Sequence, residues 1–472
     1  MEGKMDEARL YKSGTIKSSC SAESSELDQD FFPHFHSHQK HSTTLSIRRK
    51  LLLLLFIASL ALLSIVVISE QLISRYMDRQ QSQSHLRTSS HGDAPPVIEI
   101  DIYTLERWAQ EAKRHKDDKI PLEDIRKSAK QAFMDLSGIN LVEDGIFWSG
   151  ALEARVPHGP SDQQVQDQLQ AMRSRQVEEI LDADFSHCGR EQNRRILFQD
   201  GTEACARNRE DHVEFVQGEV MAFYLARLLG ITNTPPVALS SVNGSAWDGV
   251  RQGATNWTQT NTNKIVALIQ WIPELTKVVI PPALREALDT KEALDIYKGE
   301  KFQDLDEEEM GELVQWSDLI IFDFLTGNYD RVATMQDAAS KLKRPGLMKE
   351  TVRNLAKSTR TGSLWMIDNE SAFLAGYGVI HLQKDRKMSL YLEDLLKANC
   401  IFRRTTVQRL FALHKSAKPA ELLIHLTQQN EPLFQELPTI HENSIFVQHF
   451  AERLEQVWQW VQHCQSRLDF IG

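Results

Sequence analysis

The chain has 472 residues, 41% of them hydrophobic, and a formal charge of −11 at pH 7. That length leaves room for one large domain or two, so core size sets no limit. The acidic balance excludes a dedicated nucleic-acid binder, which would carry a basic face.

In chain order, residues 1–47 are polar, with a cluster at His34, His36, His38 and His41, and read as a disordered cytosolic tail. Residues 51–69 carry no charge, and a bilayer core needs about 20 such residues, with a lower limit of roughly 17. Arg48, Arg49 and Lys50 stand immediately before this run, so the positive-inside rule puts the tail in the cytosol and everything beyond the span in the lumen. A cleaved signal peptide is the weaker reading, because its apolar core is usually about 7–15 residues long and begins earlier. The expected organisation is a tail (1–47), a transmembrane signal anchor (48–69), a luminal stem (70–98), a strand-rich N-terminal lobe with a helical extension (99–280) and a helical C-terminal lobe (281–472).

Cys20 falls in the tail, whereas Cys188, Cys205, Cys400 and Cys464 form an even luminal set where disulfides persist. Three pairings are open, and proximity in the chain favours Cys188–Cys205 and Cys400–Cys464. Asn243-Gly244-Ser245 and Asn256-Trp257-Thr258 are glycosylation sequons in a stretch that reads as an exposed loop. Asn369-Glu370-Ser371 is formally a third, expected to stay unmodified because it lies in the candidate site.

Residues 101–136 read as helical. Residues 194–207 read as a β-hairpin around Asp200-Gly201, a strong turn signal. A helix over 214–229 is expected to stop at Gly230. Residues 264–272 read as a buried strand. A second helix spans 308–326, with Leu313, Trp316, Ile320 and Phe324 at spacings of three and four, and Gly327 ends it. Helical patterns dominate from 390 onward. Strands first and helices later describe a two-lobed α+β enzyme.

Two aspartates follow apolar segments that can be held rigid: Asp330, in Gly327-Asn328-Tyr329-Asp330-Arg331, and Asp368, in Ile367-Asp368-Asn369-Glu370. Phosphoryl transfer needs one acid to orient the attacking hydroxyl and another to hold the metal on the nucleotide phosphates. It also needs a cation on those phosphates, braced by a helix carboxylate. Arg207 ends the second hairpin strand, and Glu219 follows in the next helix, so the four roles occur in kinase order. Asn328 is a candidate to position the loop and nucleotide, and Glu370 a further metal ligand. Glu153 and Gly189 are weaker candidates, as an extra acid and a phosphate-approach glycine. Two rival readings exist. Asp182-Ala183-Asp184 is an Asp-x-Asp pair of the kind that holds Mn²⁺ and a sugar nucleotide in type II glycosyltransferases, although no parallel βαβ series surrounds it. A luminal pseudokinase acting as a binding module is the other.

Asp144-Gly145-Ile146-Phe147-Trp148-Ser149, Leu152-Glu153-Ala154-Arg155-Val156-Pro157, Asp200-Gly201-Thr202, Tyr224-Leu225-Ala226-Arg227-Leu228-Leu229-Gly230, Val314-Gln315-Trp316-Ser317-Asp318-Leu319-Ile320 and Ile367-Asp368-Asn369-Glu370 resemble the four-jointed family of Golgi kinases, over roughly 140–465. That family is distantly similar to secretory-pathway kinases such as the Golgi casein kinase. The resemblance implies an atypical two-lobed protein-kinase-like fold. It implies ATP and Mn²⁺ or Mg²⁺ as cofactors, and transfer to Ser or Thr in cadherin repeats of Fat/Dachsous-type protocadherins, which act in planar polarity and growth. It implies a single-pass type II Golgi membrane protein whose stem leaves room for release of a soluble form. By motif position Asp330 would be the catalytic aspartate, Asp368 the metal ligand, and Arg207 and Glu219 the phosphate cation and its helix partner.

One departure stands out. Kinases place a metal-binding Asn five residues after the catalytic Asp, and here that position is Met335, whose thioether is a poor ligand for hard cations. The segment between the aspartates carries Lys341, Lys343, Arg344, Lys349, Arg353, Lys357 and Arg360. It reads first as a solvated insertion, and alternatively as a basic docking surface for carboxylate-rich repeats.

Overall fold

A computed structural model of the protein describes residues 140–467, apart from 185, 210–211, 260, 262–263, 296–301, 303–304, 383–385 and 443. The tail, apolar run, stem, 101–136 helix, Cys20 and histidine cluster lie outside the described residues. The chain divides into two units, 1–95 and 96–472, and the described residues belong to the second. Among them no helix is long and apolar enough to cross a membrane.

A short ribbon of β1 (Val142–Glu143) and β2 (Phe147–Trp148) precedes α1 (Gly150–Glu153) and α2 (Asp162–Ser174). A five-stranded sheet follows, built from β3 (Val177–Asp182), β4 (Arg194–Phe198), β5 (Glu203–Arg207), β6 (Val237–Ser241) and β7 (Ile265–Gln270) in the order β3-β4-β5-β7-β6. Between β5 and β6 runs α3 (Val213–Leu229), and α4 (Arg251–Trp257) lies between β6 and β7. Next come β8 (Leu275–Val279), α5 (Pro282–Thr290), α6 (Glu307–Thr326), α7 (Val332–Leu342), β9 (Thr351–Ser358) and β10 (Leu364–Met366). Five α-helices follow among the described residues: α8 (Leu374–Leu382), α9 (Lys387–Lys397), α10 (Arg404–His414), α11 (Pro419–Asn430) and α12 (Ile445–Ser466). All pairings between these strands are antiparallel.

Local chemistry accounts for most of these elements. The β4–β5 hairpin turns at Asp200-Gly201, where Gly201 has φ +81° and the Asp200 carboxylate accepts from the Thr202 N–H at 3.0 Å. Residues 216–229 of α3 are buried on every side, as an apolar helix sandwiched between layers must be. It packs on β6 and β7 and on α8, α10 and α11, and Gly230 stops it at φ +77°. The start of α6 carries a capping box, Asp306 with Glu309. Its last carbonyls are met from other helices: Arg453 of α12 donates to the Phe324 carbonyl at 2.5 Å, and the Tyr377 hydroxyl donates to that of Leu325. Orphan carbonyls at a buried helix end need such partners.

The disulfides are Cys188–Cys205 and Cys400–Cys464, the pairing favoured by proximity. The basic segment after Asp330 differs from expectation. It forms α7 and β9 rather than a solvated insertion, and β9 is the central strand of the sheet β10-β9-β8. Lys341, Lys343, Arg344, Lys349, Arg353 and Arg360 are exposed, Lys357 is partly buried against Glu308 and Glu312, and Val352, Leu355 and Ser358 are buried. The sheet also joins β8 to β9, so hydrogen bonding runs across the boundary expected at 280/281.

Gly376 stands where α8 meets the end of α6. A Cβ there would lie 2.5 Å from both the Gly327 and Ser371 carbonyl oxygens, which are backbone and cannot step aside cheaply. Gly376→Ala is expected to destabilise the fold by about 1–3 kcal/mol, the usual cost of overpacking. Chemical denaturation with an unchanged m-value checks this.

Candidate active site

The site is assembled from the end of β5, the second turn of α3, the loop after α6, β9 and the loop after β10. Strand β5, the central strand of its sheet, ends at Arg207, which pairs with Ala267 of β7 and is buried. Glu219 of α3 comes to meet it because Gly218 lets the helix approach the loop after β10. A Cβ on Gly218 would lie 2.7 Å from the Ala372 carbonyl oxygen and 3.1 Å from that of Glu370. Arg207 Nη1 donates to Glu219, Nη2 donates to Asp368 at 2.6 Å, and Nε lies 3.2 Å from Glu370. Burial opposes the Arg207 charge, but the Asp368, Glu219 and Glu370 carboxylates outweigh it and hold its pKa above the usual range. For Glu219 burial wins over Arg207 and pushes the carboxyl up.

Asp330 follows the left-handed Gly327 that ends α6 (φ +65°). Asn328, expected to contact the nucleotide, is only 1% exposed. Its Oδ1 accepts from the Asp330 N–H at 3.2 Å, so its role is to shape the loop from inside. Asp330 is half-buried, and burial followed by the nearby Asp368 charge raises its pKa. Asp368 sits at φ +54°, with about a third of its side chain exposed. The two mutually repelling, partly accessible carboxylates fit a divalent cation. Among the described residues no group of three or more His, Cys, Asp or Glu could cage one alone. Protein ligation here would therefore be one or two carboxylates completed by nucleotide phosphates, the mode Mg²⁺ favours.

Glu370, expected beside Asp368 as a metal ligand, is corrected by its surroundings. Its Oε2 accepts from Arg209 Nε at 3.0 Å and Nη2 at 2.5 Å, and its Oε1 lies 3.2 Å from Arg190. With Arg207 this makes three guanidiniums around one buried carboxylate, and little of it is left for a metal. Arg209 and Arg190 are functional neighbours that sequence reasoning passed over. The Cys188–Cys205 bridge pins the loop that carries Arg190 and Asn193, and Asn193 Oδ1 accepts from Arg209 at 3.0 Å.

Arg331 is the other residue missed. It is fully buried. It pairs with Asp323 and donates to the Asn354 carbonyl at 2.9 Å, the Ile367 carbonyl at 3.0 Å and Asn369 Oδ1 at 2.6 Å. Its place next to Asp330 was the available signal, but a lone arginine in a turn does not announce burial.

The four-jointed box protein middle domain matches residues 163–467. Human four-jointed box protein 1 is 35% identical over 331 residues, which cover 69% of this chain and 72% of that protein. The chain belongs to the four-jointed box family. The Drosophila melanogaster protein named extracellular serine/threonine protein kinase four-jointed is 28% identical over 373 residues, covering 69% of this chain and 61% of that one. Among solved structures, the Golgi casein kinase with Mn/ADP bound aligns at TM-score 0.41 and 12% identity, covering 79% of this chain and 93% of that chain. Hydra Fam20 with sugar aligns at TM-score 0.40 and 15% identity, covering 66% and 92%.

The remaining candidates stand away from this centre. Glu153 pairs with Arg403 at 3.4 Å, in a network with Asp318. Gly189, at φ +79°, serves the disulfide-closed turn. In Asp182-Ala183-Asp184, Asp182 is exposed and Asp184 accepts from Ser186 and His187 within its own turn, and the antiparallel sheet offers no βαβ setting for a sugar nucleotide. Asn243 and Asn256 are exposed, whereas Asn369 is 2% exposed and bound to Arg331.

Arg331 and Asp323 form a buried pair that cannot lose one member cheaply. Arg331→Met is expected to cost about 3–5 kcal/mol at neutral pH, the range for an orphaned buried charge. Burial pushes the Asp323 carboxyl up to about 6 even with Arg331 present. A carboxyl raised on folding contributes stability that is full below its unfolded pKa and lost as pH rises through the folded one. Without Arg331 this loss is larger, so the deficit is expected to be smaller at pH 5 than at pH 7.5. Paired urea melts at the two pH values check it.

Proposed function

We propose that this chain is a protein serine/threonine kinase of the secretory pathway, using ATP with Mn²⁺ or Mg²⁺. One observation carries the reading: Arg207 bridges Glu219 and Asp368, and Asp330 stands close enough to Asp368 for their charges to interact. A strand cation, a helix carboxylate, a loop acid and a strand-end acid converge in the order that protein kinases use. The name of the fly relative, an extracellular serine/threonine kinase, supports the same class.

Bound ATP and its divalent ion would supply the transferable phosphoryl group and the charge that neutralises it. Asp368 would hold the metal. Arg207, whose three guanidinium nitrogens are set against Glu219, Asp368 and Glu370, would contribute positive charge beside the phosphates. Asp330 accepts the hydrogen bond of the acceptor hydroxyl, sets its direction and takes its proton; the raised pKa suits it to that exchange. Glu370 keeps the neighbouring arginines in place.

The acceptors are cadherin repeats of Fat/Dachsous-type protocadherins, acted on in the Golgi lumen by a single-pass type II protein. The uncharged run at 51–69 behind Arg48, Arg49 and Lys50 supports that topology. The exposed Asn243 and Asn256 suit glycosylation there. Outward-facing Lys343, Arg344 and Lys349 suit docking of carboxylate-rich repeats.

In a γ-phosphate transfer assay with a cadherin-repeat fragment, wild type is expected to incorporate phosphate. Asp330→Asn should lower kcat by about 10²–10⁴-fold, the usual contribution of a positioned base, and Asp368→Ala should abolish metal-dependent transfer. Nucleotide binding without transfer by wild type would instead identify a binding module. Reversing Lys343, Arg344 and Lys349 to Glu is expected to raise KM for the cadherin fragment and leave KM for ATP unchanged; an unaltered acceptor KM rules out docking there.

A further inference from the structure

Strand β9 does not run evenly past its neighbour. Val279 of β8 pairs with Thr351, and Lys277 pairs with Ala356, so β9 carries extra residues between those two pairs. Such bulges re-aim side chains and cluster beside active sites. Within this one lies Asn354, the β9 residue with a left-handed backbone, φ +58°. Asparagine is among the few residues that reach that region without heavy strain.

The turned backbone points both polar ends of Asn354 at the site. Its Nδ2 donates to the Asp330 carboxylate oxygen Oδ2 at 3.1 Å and approaches the Asp330 carbonyl at 3.2 Å. Its main-chain carbonyl accepts from Arg331 Nε at 2.9 Å and from the Ile367 N–H at 3.1 Å. One residue therefore touches the loop of Asp330 and the strand that leads to Asp368. Meanwhile Met335, in the position five residues after Asp330, packs partly buried against the core and has no donor to offer.

We infer that Asn354 is a positioning residue for catalysis: its side-chain amide holds the Asp330 carboxylate in the orientation that leaves the other oxygen for the acceptor hydroxyl. The polar support of the base comes from a strand 24 residues downstream rather than from the following turns of its own loop. This rests on the kinase reading of the site given above. An amide suits the task because it donates to the carboxylate without adding charge to a place where Asp368, Arg353 and Arg190 already act on Asp330. A lysine there would pair with the base and lower its affinity for a proton.

Two substitutions in the full-length protein separate the amide from the backbone. Asn354→Gly keeps the left-handed conformation free of strain and removes only the side chain. Asn354→Asp keeps shape and tolerance of positive φ but replaces the donor with an acceptor. Each is compared with wild type for phosphate transfer to a cadherin-repeat fragment, for ATP affinity by calorimetry, and for thermal unfolding. Asn354→Gly is expected to bind ATP with wild-type affinity and to lose kcat by about 100-fold, the scale of a small misplacement of a reacting group, with KM for ATP unchanged; Asn354→Asp, which also sets a carboxylate against Asp330, is expected to lose at least as much kcat. If Asn354 served only to make the turn, Asn354→Gly would retain full kcat, and that result overturns the inference. Should the glycine variant fail to melt cooperatively, the aspartate variant decides, and kcat within about threefold of wild type there is equally fatal on the same transition-state accounting. A wild type that binds ATP but transfers no phosphate overturns the kinase reading and the Asn354 role together, whereas active wild type with active variants removes the Asn354 role alone.

Discussion

The site depends on one buried guanidinium. Arg331 lies beneath the loop of Asp330 and holds Asp323 at the end of α6, the Asn354 carbonyl in β9, and both Ile367 and Asn369 around Asp368. These contacts come from three stretches of chain that are far apart in sequence. A flat five-donor fork can meet several acceptors at fixed angles, which an ammonium cannot. Burying that charge is costly unless it is both paired and hydrogen-bonded. Asp323 provides the pairing and the carbonyls complete the hydrogen bonding. The separation of Asp330 from Asp368 is thus set by a residue that touches neither carboxylate.

A second constraint is charge balance. Arg190, Arg207 and Arg209 crowd one side, and burial together with Arg207 works against the charge on Arg209. Glu370 is what allows these cations to coexist, since its two oxygens are shared among all three. Four acids lie close together, and only Asp330 and Asp368 keep appreciable access to solvent. The division of labour between neighbouring Asp368 and Glu370 follows from which one the arginines claim. It does not follow from the carboxylates themselves, which is why the Asp-Asn-Glu block alone suggested two metal ligands.

What was legible in the sequence was what short-range chemistry decides. Asp200-Gly201 turned a hairpin, Gly230 and Gly327 ended their helices, and the apolar spacing of α6 marked a buried helix. These elements then carried Arg207, Glu219 and Asp330 to one place. β9 was not legible, because its bulge breaks the alternation of two. Val352, Leu355 and Ser358 are buried at intervals of three among basic residues, so the strand looks like a solvated run. Arg331, Arg209 and Asn354 were hidden for a related reason. A polar residue in a turn is read as exposed unless its distant partners are known, and those partners are fixed only by the tertiary arrangement.

That same bulge also sets what β9 can reach. In an even strand, successive side chains alternate between faces, and Asn354 would direct either its amide or its carbonyl toward the site. Turning its backbone to positive φ directs both inward, so Asp330, Arg331 and the strand to Asp368 are held by one residue. Met335, five residues after Asp330, packs partly buried against the core. The basic segment, which the sequence alone reads as a solvated run, is thus the stretch that joins the Asp330 loop to the strand leading to Asp368.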